Sequence, residues 1–331
     1  MAPKTDVDVL NNEATARSSP PISNSKYDSL ANVILNNLTD GEKEQTARAN
    51  SYQYLTASID PSQAPSSDVR DRHAKATIER YLTVEQKLHK NNTVEEWTAN
   101  AETKLKKTLE YRLKNNVDDI RLCFGTETAE SSLHVYLREG LLARFANKAS
   151  VVRGFSKEGH ALFQNFPRAD TSWEEEFYIK GNIYMLEKAL ACTERRTGGE
   201  RDKVIVLYDY NSYSMKNTPP TMLVKRLLYN LRDHYPERLE HVFVVDAPFI
   251  FRAFWAMIKH FIDPITKGLV QFVSGEEEKK RVLGRLISED EASPWMYEGG
   301  KVIDEVDVNN FFFDTPFDRV YGDKGYCSVE R

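Results

Sequence analysis

Residues 235–273 constrain the fold more than any other stretch, because they place three secondary-structure elements in a row. Residues 241–245 form a β-branched and aromatic run that predicts a strand. Pro248 ends it, since proline lacks the N–H that a strand ladder needs. A helix is predicted at 251–262 from large apolar residues at helical spacing, which are Phe251, Phe254, Trp255, Ile258, Phe261 and Ile262. Asp263-Pro264 then ends the helix, and residues 268–273 predict the next strand.

Strands and helices also alternate upstream of this unit. Residues 203–210 read Lys-Val-Ile-Val-Leu-Tyr-Asp-Tyr, a nearly continuous apolar run that is typical of a strand buried on both faces of a parallel sheet. Helices are predicted on either side of it, at about 172–197 and 221–235. Two apolar runs around a Lys-Glu-Gly turn predict a hairpin over residues 149–166. This alternation indicates an α/β fold.

Four short motifs lie within residues 235–266. They read Tyr235-Pro236-Glu237-Arg238, Ala247-Pro248-x-x-Phe251, Trp255-x-x-Ile258-Lys259 and Asp263-Pro264-x-Thr266. In their order and spacing the chain resembles the CRAL-TRIO family of lipid-binding and lipid-transfer proteins, which includes phosphatidylinositol and alpha-tocopherol transfer proteins. The resemblance covers about residues 75–300. It implies an N-terminal helical lobe on a mixed, mainly parallel sheet, flanked by helices that enclose a lipid pocket.

Composition and the resemblance together divide the chain into four parts. Residues 1–70 are rich in Ser, Asn, Thr, Asp and Pro, and we expect a mostly disordered tail. Residues 71–147 are predicted to form the helical lobe and residues 148–300 the lipid-binding domain. Residues 301–331 are expected to pack back on that domain, because three consecutive phenylalanines in them would otherwise be exposed.

One apolar island interrupts the predicted tail. Four apolar residues share a helical face within residues 27–38, and they are Leu30, Val33, Ile34 and Leu38. Two interpretations stay open from the sequence. The island is either a transient helix or one docked on its own domain, or it anchors the chain to a membrane or a partner protein. The polar face lacks the Lys and Arg that favour a lipid surface.

Charge, cysteines and hydropathy exclude several classes of protein. The formal net charge of −5 disfavours a general nucleic-acid binder. Three widely spaced cysteines predict neither disulfides nor a metal site, and they favour a reducing compartment. No secretory signal and no membrane-spanning run is evident. We therefore expect a cytoplasmic monomer that contacts membranes peripherally and transiently.

Nothing in the sequence predicts an enzyme. There is no Gly-x-Ser-x-Gly elbow, no glycine-rich phosphate loop and no histidine pair at metal-ligating spacing. The seven histidines are scattered along the chain. The chain is therefore expected to be non-catalytic, with no metal and no cofactor other than a bound lipid.

The apolar helix at 251–262 has two possible roles. It is either a core helix that fills its own domain, or a wall or gate of a cavity that holds acyl chains. Periodicity alone does not separate the two, because buried lipid and buried side chains demand the same apolar surface. The resemblance favours the gate, since the matching segment of the family is the mobile helix that covers the pocket.

The resemblance also suggests residues for the polar end of the pocket. In family members that transfer phosphatidylinositol, headgroup contacts match Glu237 and Thr266 here, but the next matching position, usually lysine, is Leu269. This departure puts inositol recognition in doubt. Ser214, which follows the 203–210 strand, is a candidate phosphate contact, and Tyr208 is a candidate lining residue.

These observations predict a protein that carries a phospholipid, such as phosphatidylinositol or phosphatidylcholine, between membranes. Two alternatives stay open at this point. The missing lysine at position 269 favours a carrier of a small isoprenoid-like lipid of the tocopherol or retinoid class. The chain could also be a scaffold with a collapsed pocket that binds a protein partner through its tail.

Overall fold

The fold is described from a computed structural model that covers residues 27–125, 131–171 and 173–302. In this part of the chain, helices precede a sheet. The helices before the sheet are α1 (Asp28–Asn37), α2 (Asp40–Asn50), α3 (Tyr52–Ile59), α4 (Ser67–Leu88), α5 (Val94–Lys114), α6 (Val117–Leu122) and α7 (Ser132–Phe145). The strands and later helices are β1 (Ser150–Phe155), β2 (Ala161–Asn165), α8 (Glu175–Thr197), β3 (Val204–Asp209), α9 (Thr221–His234), β4 (Leu239–Val245), α10 (Phe251–Ile258), α11 (Pro264–Leu269), β5 (Val270–Val273) and α12 (Glu276–Leu286).

The prediction of a disordered tail up to residue 70 is wrong over residues 27–70, which are mostly helical. The polar residues that suggested disorder begin these helices. Thr39, Ser51 and Ser66 are N-caps of α2, α3 and α4, and each side chain accepts a hydrogen bond from a backbone N–H of the first turn. Residues 1–26 of the predicted tail lie outside the described residues.

Helix α1 settles the interpretation of the apolar island. Ala31, Ile34 and Leu35 are buried in a hydrophobic cluster shared with α4 and α5. The island is therefore a helix docked on its own lobe, and the anchor interpretation is wrong for these buried residues. Val33 alone of the predicted apolar face is exposed, at 50%.

The described strands form one five-stranded sheet in the order β1-β2-β3-β4-β5. The β1–β2 pair is antiparallel, as the predicted hairpin requires, and every later neighbouring pair is parallel. Parallel neighbours need crossover connections, which α8, α9 and the α10–α11 segment supply. The predicted α/β class with a mixed, mainly parallel sheet is confirmed.

Helices cover both faces of the sheet. On one face, Ile205, Phe243 and Val245 pack with Leu283 of α12 and Met296. On the other face, Val206 and Val242 belong to the core cluster that includes α8 and α9. The two sets alternate along β3 and β4, because successive side chains of a strand point to opposite faces.

Two predicted boundaries within residues 251–273 were wrong. The α-helix that starts at Phe251 ends at Ile258 and continues as a 3₁₀ turn, Lys259–Phe261. Residues 264–269, partly assigned to a strand, form α11, and β5 starts only at Val270. Asp263 caps α11 by accepting hydrogen bonds from the N–H groups of Ile265 and Thr266. The Asp263 carboxylate as N-cap and Pro264 as the first helical residue both favour the start of a helix at this point.

The helical lobe and the α/β domain are joined by buried charged groups. Arg238, at the start of β4, donates through Nη2 to the carbonyls of Ala49 and Asn50 at the end of α2. Its Nη1 donates to the Asp202 carbonyl, and Asp202 also pairs with Arg80 of α4 at 2.9 Å. Arg238, a residue of the motif at 235–238, therefore holds the two parts of the chain together.

The predicted C-terminal extension is described only at its first two residues. The Lys301 N–H donates to the Glu289 carbonyl, and the Val302 N–H donates to the Ala292 carbonyl. Residues 303–331, including the three phenylalanines, lie outside the described residues.

Candidate functional site

A cavity of about 550 Å³ lies between the sheet and the helices that follow β3 and β4. Its sheet side is formed by Phe163, Val206, Val242 and Val244, whose side chains share one face. Helices α9, α10 and α11 supply another wall, and α4 and α5 of the helical lobe close a third side. The volume falls within the range of about 300–1,000 Å³ that is usual for ligand pockets.

The predicted gate helix lies on this cavity. Phe251, Phe254, Trp255 and Ile258 of α10 line it, and so does Ile262. The Phe251 ring lies 4.3 Å from the Tyr210 ring, centroid to centroid, and anchors the start of the helix. Five of the six apolar positions predicted from helical spacing therefore lie at the cavity.

Phe261, the sixth predicted position, lies elsewhere. Its ring packs edge-on against Tyr229 of α9 at 6.0 Å, and the Lys225 ammonium lies 5.0 Å from its centroid. The cause is the 3₁₀ turn, which changes the rotation per residue after Ile258 and removes Phe261 from the stripe.

The predicted headgroup residue Glu237 already has partners. Its carboxylate accepts hydrogen bonds from the Lys87 ammonium at 2.9 Å, and Lys203 Nζ lies 3.9 Å away. The Glu237 backbone has a φ of 58°, which fixes where this carboxylate projects. Glu237 thus links α4 to the start of β4 at the edge of the cavity.

The other residues predicted for the polar end divide into two groups. Thr266 and Leu269 both line the cavity, so the apolar residue at position 269 faces the place where a ligand would lie. Ser214 is exposed and donates its hydroxyl to Asn217, and it is not among the residues that line the cavity. Tyr208 does line it.

Sequence reasoning missed several polar residues of the cavity. Lys87, Lys104 and Lys107 reach it from the helical lobe, which lies outside the four motifs of residues 235–266. Tyr178 and Tyr210 line the cavity near Tyr208. For Tyr210 a signal existed, because residues two apart on a strand share a face and Tyr208 was already a candidate.

His234, also missed, lines the cavity where α9 meets the helical lobe. Its ring stacks on Tyr111 at 3.9 Å, and its Nδ1 lies 2.9 Å from the Thr108 hydroxyl. Burial lowers the pKa of His234 to about 4, with the nearby charges of Asp233 and Arg112 acting in opposite directions. The folded protein therefore holds this imidazole neutral at physiological pH.

This shift predicts how stability depends on pH. An unfolded histidine takes up a proton near pH 6.5, whereas folded His234 resists protonation until about pH 4. Stability should therefore fall as the pH drops through this window, by about 1–2 kcal/mol from this residue at pH 5. Urea unfolding at pH 7 and pH 5 measures the difference, and His234→Gln should reduce it by that amount.

The exposed His260 provides the matched control for this measurement. His260→Gln should keep the wild-type difference between the two pH values. An equal difference in the wild type and in His234→Gln would contradict the assignment.

Two kinds of feature are absent from the described residues. No group of three or more His, Cys, Asp or Glu side chains there is placed to hold a metal ion. Likewise, none of the described helices combines the length and the hydropathy needed to cross a membrane.

Comparison with known proteins matches the chain to relatives at low identity. Patellin-4 of Arabidopsis thaliana is 25% identical over 213 residues, which cover 62% of this chain and 36% of that protein. Phosphatidylinositol transfer protein CSR1 of Eremothecium gossypii is 29% identical over 140 residues, covering 41% and 30%. Phosphatidylinositol transfer protein PDR17 of Saccharomyces cerevisiae is 27% identical over 181 residues, covering 53% and 48%.

The matched region thus spans about a third to a half of the length of these relatives. A family model described as the CRAL/TRIO domain matches residues 146–292. That match includes the sheet, helices α8–α12 and all four motifs within residues 235–266. The resemblance to this family found in the sequence is therefore confirmed over residues 146–292.

Proposed function

We propose that this protein binds a phospholipid in the cavity and transfers it between membranes, without catalysis and with no cofactor besides the lipid. The observation that carries the proposal is an apolar cavity whose wall includes α10, the helix that matches the family's gate. Two relatives carry the name phosphatidylinositol transfer protein, which supports a phospholipid as the cargo. We propose that it works as a monomer in the cytoplasm with transient membrane contact.

Burial of acyl chains supplies the affinity in this proposal. Each methylene that leaves water contributes roughly 0.8 kcal/mol, so an apolar cavity can compete with a bilayer for a lipid tail. Phe163, Val206 and Val244 offer such a surface along the sheet. Because α10 closes the cavity over them, release requires this helix to move.

The edge of the cavity near the helical lobe suits an anionic headgroup. Lys87, Lys104, Lys107 and Lys203 line it. Lys87 and Lys203 share Glu237, whereas the exposed Lys107 has no ion-pair partner among the described residues. A lipid phosphate placed here would meet an ammonium that is not neutralised by the protein. This supports a phosphate headgroup even though position 269 is Leu.

A carrier of a small isoprenoid-like lipid is the second candidate. Leu269 lines the cavity where phosphatidylinositol-transferring members carry lysine, and this favours a ligand without an inositol group. Competition between radiolabelled phosphatidylinositol and an isoprenoid lipid for the purified protein separates the candidates. Displacement of phosphatidylinositol by a small excess of the isoprenoid would favour the second.

Native mass spectrometry followed by organic extraction tests the main proposal. The protein should carry one phospholipid per chain after incubation with mixed liposomes. A protein that stays empty would reject the carrier proposal and favour the scaffold alternative.

Exposed apolar side chains flank the gate and suit contact with a membrane. Phe249, 79% exposed, precedes α10, and Met222, 70% exposed, lies in the first turn of α9. The neighbouring Thr221 hydroxyl lies 3.7 Å from Met257 Sδ, which places that turn beside α10. A bilayer that contacts these residues would also contact the helix that must move.

Phe249→Asp should therefore weaken vesicle binding by about tenfold or more, because the large ring no longer leaves water on docking. Cosedimentation with phosphatidylcholine–phosphatidylserine vesicles measures this. Leu113→Asp is the matched control, since Leu113 is 60% exposed on α5 of the helical lobe. Equal losses in both variants would contradict a docking surface at the gate.

A further inference from the structure

Six tyrosines line the cavity, and among the described residues their hydroxyls fall into two groups. Tyr81 donates to the Thr108 hydroxyl at 2.7 Å, Tyr235 donates to Glu187 at 2.9 Å, and Tyr213 is bonded to Thr218. The second group has no hydrogen-bond partner for its hydroxyls, and it consists of Tyr178, Tyr208 and Tyr210. None of these three hydroxyls is among the fully buried side-chain atoms that lack a partner, so they are open to the cavity and available to a ligand.

The three unpaired phenols lie together. Tyr208 and Tyr210 lie two residues apart at the end of β3 with ring centroids 6.2 Å apart, and Tyr178 of α8 lines the same cavity and belongs to the hydrophobic cluster against which Tyr208 packs. Tyr178 and Tyr210 are each 7% exposed. Burial raises the pKa of Tyr208 to about 12 and raises the pKa of the other two further. All three are therefore neutral phenols that can donate a hydrogen bond.

The charges around the three phenols decide which kind of hydrogen-bond acceptor fits beside them. Arg144 lies over the Tyr178 ring at 5.1 Å, but both of its terminal nitrogens donate to Asp170 at 2.8 Å. That cation is therefore already neutralised. A buried anion needs an opposing charge, whereas an uncharged oxygen needs only a donor. The part of the cavity lined by these three tyrosines thus suits uncharged acceptors. The lysine edge, lined by Lys87, Lys104, Lys107 and Lys203, suits an anion instead.

We propose that Tyr178, Tyr208 and Tyr210 form a subsite that donates hydrogen bonds to the ester carbonyl oxygens of a diacyl glycerolipid. The inference rests on the proposed function, because it requires the cavity to hold such a lipid. Ester carbonyls are uncharged acceptors that sit next to the acyl chains. The subsite therefore selects for the linkage of the chains, while the lysine edge contacts the headgroup.

The test compares two probes that differ only at the linkage. Vesicles contain either ester-linked phosphatidylcholine or its ether-linked analogue with the same chain lengths, and native mass spectrometry measures the lipid bound. The wild type should prefer the ester lipid by about tenfold. The double variant Tyr208→Phe and Tyr210→Phe should load both lipids equally, since it loses two hydroxyls and keeps both rings.

Tyr136→Phe is the matched control, because Tyr136 is not among the residues that line the cavity and its hydroxyl donates to Glu176. It should keep the ester preference. The double variant should unfold at the same urea concentration as the wild type, since neither lost hydroxyl has a partner within the described protein. This result separates a loss of selectivity from a loss of folding.

The outcomes distinguish this inference from the proposed function. A wild type that loads neither probe, nor any other phospholipid, would reject the function and the subsite with it. Loading of both probes without preference would overturn the subsite alone. An ester preference that persists in the double variant would also overturn it, because the selectivity would then arise from other residues.

Discussion

Trp255→Asp should abolish lipid loading while the protein stays folded. Trp255 lines the cavity from α10, and its ring meets Phe272 edge-on at 5.3 Å. A carboxylate at this position would lie against the acyl chains, and an unpaired charge in an apolar site costs several kcal/mol. We expect less than a tenth of wild-type loading by native mass spectrometry. Phe254→Asp, one residue earlier on the same wall, should behave alike.

Met257→Asp is the matched control on the same helix. Met257 is 40% exposed and is not among the residues that line the cavity. The variant therefore adds the same charge to α10 without placing it near a ligand. Circular dichroism and urea unfolding establish that all three variants are folded. Normal loading in folded Trp255→Asp would rule out α10 as the gate.

Glu187→Ala should produce the largest loss of stability. Glu187 of α8 is 3% exposed and pairs with Arg112 at 2.7 Å and Arg121 at 3.3 Å, while the Tyr235 hydroxyl donates to it. Burial alone would raise its pKa, but the two guanidinium groups hold that pKa at about 2. Removal of the carboxylate leaves two buried cations without this partner. We expect a loss of about 3–5 kcal/mol in urea unfolding.

Two further variants make this prediction specific. Glu187→Gln keeps an acceptor for Tyr235 but removes the charge, so its loss should be smaller than that of Glu187→Ala. Arg281→Ala removes one partner of the exposed pair with Glu278, at 3.4 Å, and should cost less than about 0.5 kcal/mol. A loss below about 1 kcal/mol in Glu187→Ala would show that the network contributes little net stability.

The sheet and helix α10 were predictable because their signals are local. The apolar run of β3 falls within one strand and most of the stripe at 251–262 falls within α10, where periodicity reports burial directly. The prediction that six residues share one face failed only at Phe261, because apolar spacing does not distinguish a 3₁₀ turn from an α-helical turn.

The helices of residues 27–70 were not predictable from composition. Helix α2 reads Asp-Gly-Glu-Lys-Glu-Gln-Thr-Ala-Arg-Ala-Asn and buries only Thr46 and Ala47. Its stability comes from packing on α4 and from the Arg238 hydrogen bonds to its last carbonyls, which are tertiary contacts. Amino-acid composition carries no information about the packing on α4 or about the hydrogen bonds from Arg238.

The polar part of the site also depended on distant contacts. Glu237 was predicted from the motif at residues 235–238. Nothing in the sequence around Glu237 or around Lys87 predicts the ion pair between them. The unpaired hydroxyls of Tyr178 and Tyr208 could not be foreseen, because only the fold shows which phenols lack a partner.

The helical lobe that closes the cavity affects when a ligand can be acquired. Lys87 and Glu237 are 150 residues apart, and Arg238 and Ala49 are 189 apart. A ribosome makes the chain from the N-terminus, so Val84 and Leu88 emerge well before the strands and helices that they face across the cavity. The binding space is therefore completed only when α11 has emerged from the ribosome. We expect a nascent chain to acquire no lipid until α11 has emerged.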